Sequence, residues 1–201
     1  IQTEYYSTEN LTPKFRKYLD NLYQKHYSPE QILGYIYAIL HSPAYRTKYA
    51  ELLNIDFPKI PFTTDKELFV KLSEIGKQLY KAHTMDYETL SEIKTNTNYK
   101  KLGNYAGLGD NVVIKPNYQE GNKKGENGKL YINKIQYFDN VPSDVWTFYI
   151  GGYKVLDKYL KDHKNTNLNL DEIENVENII KVLLFSIDNM KEINELTNKW
   201  I

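Results

Sequence analysis

The chain has 201 residues, 26 Lys+Arg against 26 Asp+Glu, and no cysteine. That length supports one good core or two small lobes, and the balanced charge excludes a globally basic polyanion binder while allowing a local basic patch. The missing thiols exclude disulfides and thiolate metal sites.

No apolar run approaches the ~20 residues needed to span a bilayer, and no signal-peptide pattern opens the chain. The expected compartment is therefore cytoplasmic, which makes the sequon Asn10-Leu11-Thr12 a coincidence. Nineteen tyrosines are unusual. Tyrosine combines apolar area with a hydrogen-bonding tip and suits interfaces and base stacking. An AT-rich coding bias, shared with the abundant Asn, Lys and Ile, is the simpler account, so the tyrosines lend only weak support to a binding role.

In chain order, residues 1–10 are polar and frayed. Thr12-Pro13 is a helix start, and Phe15, Tyr18, Leu19 and Leu22 carry helical spacing to about His26. Ser28-Pro29-Glu30-Gln31 is a second start with the residues of a capping box, followed by Ile32, Tyr35, Ile36, Ile39 and Leu40 at core spacing. Ser42-Pro43 restarts the chain for a third helix carrying Tyr45, Tyr49, Leu52 and Leu53. Residues 56–62 hold two prolines three apart, which predicts an ordered, extended connector. Thr64 or Asp65 then caps a fourth helix with Leu68, Phe69, Leu72, Ile75 and Leu79 inward, running to about His83.

From 85 to 110 the pattern predicts irregular structure with one strand near 99–102, and 112–118 reads as a strand interrupted near Pro116. Residues 119–129, QEGNKKGENGK, form an exposed, glycine-rich basic loop. The run 130–138 alternates β-branched and aromatic residues with polar ones and predicts a strand, with a turn at 139–142. A second extended run, 145–150, leads into Gly151-Gly152, a doublet that allows torsions or approaches a side chain would block. After it, 153–163 predicts an amphipathic helix with Val155, Leu156, Tyr159 and Leu160 on one face and Lys154, Lys158 and Lys161 on the other. Last, 170–199 reads as a long helix whose broad apolar face runs from Ile173 through Val176, Ile180, Leu183, Leu184, Ile187 and Met190 to Ile193. The fold class expected is α+β: an N-terminal helical segment, a small central mixed or antiparallel sheet and a long C-terminal helix, divided as 1–84 and 85–201.

Catalytic patterns are sparse. The chain has no Pro-Pro, so the catalytic motif of amino methyltransferases is missing, and no Gly-Lys-Ser/Thr phosphate loop exists. The glycine-rich run 103–109, GNYAGLG, neither follows a clear strand nor opens a helix and reads as a turn rather than a cofactor loop. Asp86 with Glu92-Ile93-Lys94 faintly resembles a nuclease metal site, but a solvated face is the commoner meaning of such a triplet. His26, His41, His83 and His163 share no metal-ligand spacing, and His41 at a helix end suits a local capping or dipole role. Trp146 and Trp200 read as packing residues. The chain is expected to hold no metal or cofactor and to catalyse nothing alone.

Two runs carry a resemblance. VWTFYIGGYKVLDKYLKDHK at 145–164 and SPEQILGYIYAILHSPAYRTKYAELLNIDFPKIPF at 28–62 resemble, in order, segments of type ISP restriction–modification enzymes. In that family a helicase-nuclease and an N6-adenine DNA methyltransferase precede a C-terminal target-recognition domain. Tyr159 and His163 stand where the family pattern has tryptophan and arginine. The resemblance implies that residues 85–201 recognise double-stranded DNA and that 1–84 pack on the methyltransferase of the same polypeptide. It also implies that S-adenosylmethionine, ATP and Mg serve upstream domains.

Lysine neutralises phosphate and amides address adenine edges. The DNA-binding candidates are Lys123, Lys124 and Lys129 in the loop, Asn133, Lys134 and Gln136 on the strand, and Tyr153, Lys154, Lys158 and Lys161 after the structural pair Gly151 and Gly152, with Asn117 as a further amide. Taken singly each lysine reads as a solubility residue; the resemblance favours the group. The alternative is a protein-interaction module docking through its tyrosine-rich helices, and an independent nuclease is a third reading. Salt-dependent duplex binding separates the first two.

Overall fold

Three hydroxyl–proline pairs begin three helices. In the computed structural model, which describes residues 9–100, 111–123 and 125–201, Thr12 caps α1 (Pro13–Tyr23), Ser28 caps α2 (Pro29–His41) and Ser42 caps α3 (Pro43–Lys48). In each the hydroxyl accepts an otherwise unpaired first-turn amide, while proline occupies the position where its missing N–H costs nothing. At α2 the capping box is complete: the Gln31 amide donates to Ser28 Oγ at 3.3 Å, and the Ser28 amide to Gln31 Oε1 at 3.0 Å. The expected third helix is two, because Tyr49 leaves helical geometry and α4 (Ala50–Leu53) restarts after it. Asp65 caps α5 (Lys66–His83), its Oδ1 accepting the amides of Glu67 and Leu68.

The extended connector is held by tyrosine hydroxyls. Tyr45, Tyr35 and Tyr23 donate to the carbonyls of Lys59, Pro61 and Thr63 at 3.0, 2.8 and 2.8 Å. Alternate carbonyls of an extended strand point the same way, so three helices each supply one hydroxyl to one row. Tyr35 also accepts the Thr63 amide at 3.0 Å. The rings of Tyr23, Tyr27 and Tyr35 close around Phe69 with centroids 4.5, 4.6 and 4.9 Å away. Here α2 and α5 touch backbone to backbone: a Cβ on Gly34 would overlap the Ser73 carbonyl, and one on Gly76 the Gly34 carbonyl.

The chain divides into two compact units, Ile1–Lys81 with Asn189–Ile201, and Ala82–Asp188. The closing stretch groups with the helical unit through Ser42 Oγ to Thr197 Oγ1 (2.7 Å) and Lys71 to Glu192 (2.9 Å), a return that the linear division 1–84 and 85–201 does not contain.

The second unit is built on an antiparallel sheet in the order β1-β4-β3-β2, with β1 at Asn98–Lys100, β2 at Asn117–Gln119, β3 at Gly128–Tyr131 and β4 at Tyr137–Val141. In register across it lie Tyr118, Leu130, Phe138 and Tyr99, which face the core; the neighbouring row Asn117, Tyr131, Tyr137 and Lys100 faces outward. Leu156 and Leu160 of α8 (Val155–Asp162) and Ile173, Val176, Ile180 and Leu183 of α9 (Leu170–Thr197) complete this core. The α+β class is as the sequence predicts.

Several local expectations change: the strand expected at 112–118 forms only as β2 at Asn117–Gln119, and Tyr153 and Lys154, expected in the 153–163 helix, form a short strand before α8. Residues 130–138 are two strands rather than one, because Asn133 Oδ1 accepts the amides of Ile135 and Gln136 (2.9 and 2.8 Å) and folds the chain back. β4 continues through the expected turn at 139–142: one extra residue between Phe138 and Val141 makes a bulge, with Asn140 in the left-handed region at φ 61°. Val145 and Trp146, expected as the start of an extended run, instead end a short helix, α7 (Ser143–Trp146), because the Pro142 carbonyl accepts the Trp146 amide and Thr147 Oγ1 donates to the Ser143 carbonyl. The expected irregular stretch contains α6 (Tyr87–Glu92), whose first turn Asp86 caps. The glycine-rich run 103–109, Lys101 and Leu102 lie outside the described residues.

Candidate nucleic-acid interface

Strands β5 (Tyr149–Ile150) and β6 (Tyr153–Lys154) form a tight hairpin whose two loop residues are Gly151 and Gly152. Gly151 has φ 60° while Gly152 does not have a positive φ, the pattern of a type II′ turn, which suits the strand twist and places glycine first. Open space surrounds both Cα atoms, so the glycine requirement lies in the backbone of Gly151. The hairpin displays Tyr149, Ile150 and Tyr153, 55%, 62% and 64% exposed. α8 follows directly, anchored by the fully buried Leu156 and Leu160.

This arrangement gathers Tyr153, Lys154, Lys158 and Lys161 around one open groove of about 580 Å³, together with Trp146, Tyr149, Gly152 and Asp157. Lys154 Nζ sits 5.2 Å from the Trp146 ring centroid and 5.9 Å from that of Tyr149. A cation over two rings is held in place while its charge stays available. Lys158 pairs with Asp162 (2.6 Å to Oδ1) and Lys161 with Asp157 (2.6 Å), each one helical turn apart. Exposed pairs of this kind are worth ~0.3–0.5 kcal/mol, so a phosphate can displace either carboxylate at little cost. Tyr159 and His163 stack at 4.4 Å, and His163 Nδ1–H donates to the Tyr159 carbonyl at 2.8 Å, so this pair closes the helix end.

The other candidates divide. Lys129 lies with its Nζ 4.6 Å from the Tyr137 ring centroid, and Tyr137 packs on Tyr131 at 5.0 Å. The hydrogen bond to the Tyr137 hydroxyl is the main cause holding the Lys129 ammonium above its usual range. Lys123 and Lys134 are exposed, and Lys124 lies outside the described residues. Of the three amides expected to meet base edges, Asn117, Asn133 and Gln136, the last two are not free to do so. Asn133 is 5% exposed, and besides holding the turn it donates from Nδ2 to the Val112 carbonyl at 2.9 Å. Gln136 is fully buried. Asn133 is structural because the turn that reverses the chain needs a side-chain acceptor inside it, and Gln136, buried beside it, gives that acceptor its backbone amide.

Exposed amides stand instead on β2. Asn117 and Gln119 line a second groove of about 500 Å³ with Ile114, Lys115, Tyr131, Asn133 and Lys134. Lys115 was legible as an alternate position of the 112–118 strand, two residues before Asn117, a signal masked by Pro116, whereas Gln119 fell in the expected loop 119–129. Tyr149 and Trp146 gave no signal beyond their residue type. The nuclease-like triplet does not assemble: Asp86 Oδ1 accepts from the Thr89 amide and hydroxyl, and among the described residues no cluster of three or more His, Asp or Glu side chains is placed to hold a metal. Among them, too, no helix is long and apolar enough to cross a membrane.

A basic, aromatic-lined surface on a small α+β unit defines a class of recognition domain. The chain belongs to the family of Type ISP C-terminal specificity domains, which it matches across residues 2–196. It is similar to part of the cryo-EM structure of a DrdV–DNA complex, at 23% identity and TM-score 0.68, covering 92% of this chain and 20% of that one. A second similarity is to the ATP-dependent Type ISP restriction-modification enzyme LlaBIII bound to DNA, at 22% identity and TM-score 0.57, covering 90% and 12%. A third is to a nuclease-deletion mutant of the Type ISP enzyme LlaGI in complex with a DNA substrate mimic, at 23% and 0.51, covering 88% and 14%. At these identities the likeness is one of fold. No curated protein matches the chain.

Proposed function

We infer that this chain is the target-recognition part of a larger single-polypeptide restriction–modification enzyme, binding duplex DNA for an N6-adenine methyltransferase and performing no chemistry itself. The carrying observation is the groove in which Lys154, Lys158 and Lys161 meet Trp146, Tyr149 and Tyr153. Family membership and the DNA-bound state of the three similar assemblies support it. The chain spans only 12–20% of those assemblies' chains, which leaves room for methyl transfer, translocation and cleavage elsewhere in the polypeptide. S-adenosylmethionine, ATP and Mg belong to those other parts in this reading, and no described residue here is assigned to them. The test is a salt titration of duplex binding by the whole polypeptide. Three lysines on phosphates contribute roughly three units of slope in log affinity against log salt. Binding that ignores salt, or that survives unchanged when all three are alanine, overturns the reading of this groove.

One observation favours a second, compatible role. In the helical unit Ile55 and Phe57 are 80% and 89% exposed beside an apolar pocket of about 300 Å³ lined by Tyr49, Leu53, Pro58 and Ile60. Such exposure marks an interaction surface. The occupant we assign is the upstream part of the same polypeptide. Phe57→Asp should then leave the chain's own melting unchanged while loosening the whole polypeptide to limited proteolysis; an unchanged digest rejects it.

A further inference from the structure

We propose that sequence readout lies on the edge strand β2, with Asn117 and Gln119 meeting base edges two steps apart in the major groove. The proposal rests on the reading of this chain as a DNA-recognition domain. It starts from the fact that Asn133 and Gln136 are buried, and that Asn133 is committed to three hydrogen bonds, two within the turn and one to the Val112 carbonyl. Asparagine and glutamine are the side chains whose amides match adenine N6 and N7 bidentately. Asn117 and Gln119 are exposed on the outer face of the edge strand β2, in register with Tyr131 and Lys129 of β3.

Spacing supports the pair. Alternate residues of a strand lie ~6.6–6.8 Å apart, and successive bases along a DNA strand are spaced at ~3.4 Å, so two amides at i and i+2 address bases two steps apart. The major groove admits two β-strands side by side, and β2 is the edge strand of the four-stranded sheet, so β2 with β3 forms the margin that would enter it. Charge supports the occupant. The groove beside the two amides carries Lys115 and Lys134 and, among the described residues, no carboxylate. Its walls are fixed from beneath: the Ile132 carbonyl accepts the Ile114 amide at 2.9 Å and the Lys115 amide at 3.3 Å, tying the approach to β2 onto the Asn133 turn. A rigid strand gives amides a defined direction, which flexible lysines lack.

The experiment is site selection by the whole polypeptide from a randomised duplex pool, with Asn117→Ala, Gln119→Ala and Asn117→Asp as variants. Each alanine should erase the preference at one base pair, the two positions lying two steps apart. Each should lower affinity for the selected duplex about tenfold, leaving scrambled duplex and salt slope unchanged. Asn117→Asp keeps the shape but loses the amide donors, so adenine at that position should give way to cytosine, whose N4 is a donor. Retained melting temperature excludes misfolding, and both residues are exposed enough for this control to pass. If the wild type selects a site and all three variants select the same one, this proposal fails while the DNA-recognition reading stands. If the wild type selects nothing, both fail.

Discussion

Two sets of tyrosines, one in each unit, are used in opposite ways. In the helical unit Tyr23, Tyr35 and Tyr45 are buried, and their hydroxyls satisfy the carbonyls of Thr63, Pro61 and Lys59. In the sheet unit Tyr149 and Tyr153 stand exposed, and lysines lie over the rings of Tyr137 and Tyr149. The first set ties an extended, proline-bearing segment at the surface to three helices, giving its alternate carbonyls donors that the segment's prolines cannot supply. The second leaves ring faces for a ligand. A high tyrosine count therefore predicts neither stability nor binding until each hydroxyl's partner is known.

The contrast breaks most visibly at Tyr35. Tyr35→Ala empties a space between Phe62 and Phe69 and orphans two backbone groups, and should cost about 3–5 kcal/mol in urea unfolding. Tyr153→Ala should stay within about 0.5 kcal/mol in the same assay. It should instead weaken duplex binding by ~1–3 kcal/mol if a base stacks on that ring. Equal destabilisation by the two would end the distinction. Asn133→Ala comes next: it leaves two turn amides and the Val112 carbonyl without their partner and should cost about 1–3 kcal/mol. A loss of base preference with stability intact would restore Asn133 as a reading residue.

The buried hydroxyls also set a pH limit. Burial pushes the Tyr23 and Tyr35 phenols well above their ordinary value, and Tyr45 in the same direction. Above pH ~10 the unfolded chain loses these protons while the folded chain keeps them, so stability is full below that pH and declines as pH rises past it. Melting between pH ~9 and ~11 should fall more steeply in the wild type than in a Tyr23→Phe, Tyr35→Phe variant. Parallel slopes would remove these two phenols from the cause.

The sequence carried the longer helices of both units because their signals are local, and missed the short α4, α6 and α7. A hydroxyl followed by proline, and apolar residues at helical spacing, act within one or two turns. The sheet was harder, since its decisive residues act through geometry that composition does not encode. Asn133 looked like the polar face of a strand, and only its three hydrogen bonds show a turn. Asn140 read as a turn residue and is a bulge, because its left-handed torsion lies within a paired strand. The close crossing at Gly34 and Gly76 gave no warning, as small residues within helices announce contact only once both partners are placed. By contrast the faces of α8 were readable, since helical periodicity alone separates Leu156 and Leu160 from Lys158 and Lys161, although Lys154, expected on the same helical face, lies in β6.

The smallest expected effects lie on that helix, and they sharpen the contrast within the binding surface itself. Lys158 and Lys161 already hold carboxylates, so binding a phosphate exchanges one weak, exposed partner for another. Each alanine should reduce the salt slope by about 0.9 units and weaken cognate and scrambled duplex equally, because a point charge on phosphate carries no sequence information. Asp162→Asn and Asp157→Asn should act in the opposite direction, tightening both duplexes slightly by freeing the lysine. Lys154 should stand apart: it rests on Trp146 and Tyr149 rather than on an acid, so Trp146→Leu should weaken binding through Lys154 although its own charge is unchanged. The measurement is one salt titration per variant on two duplexes. If the aspartate variants weaken binding as the lysine variants do, the ion pairs orient the helix rather than compete with DNA, and the phosphates lie elsewhere.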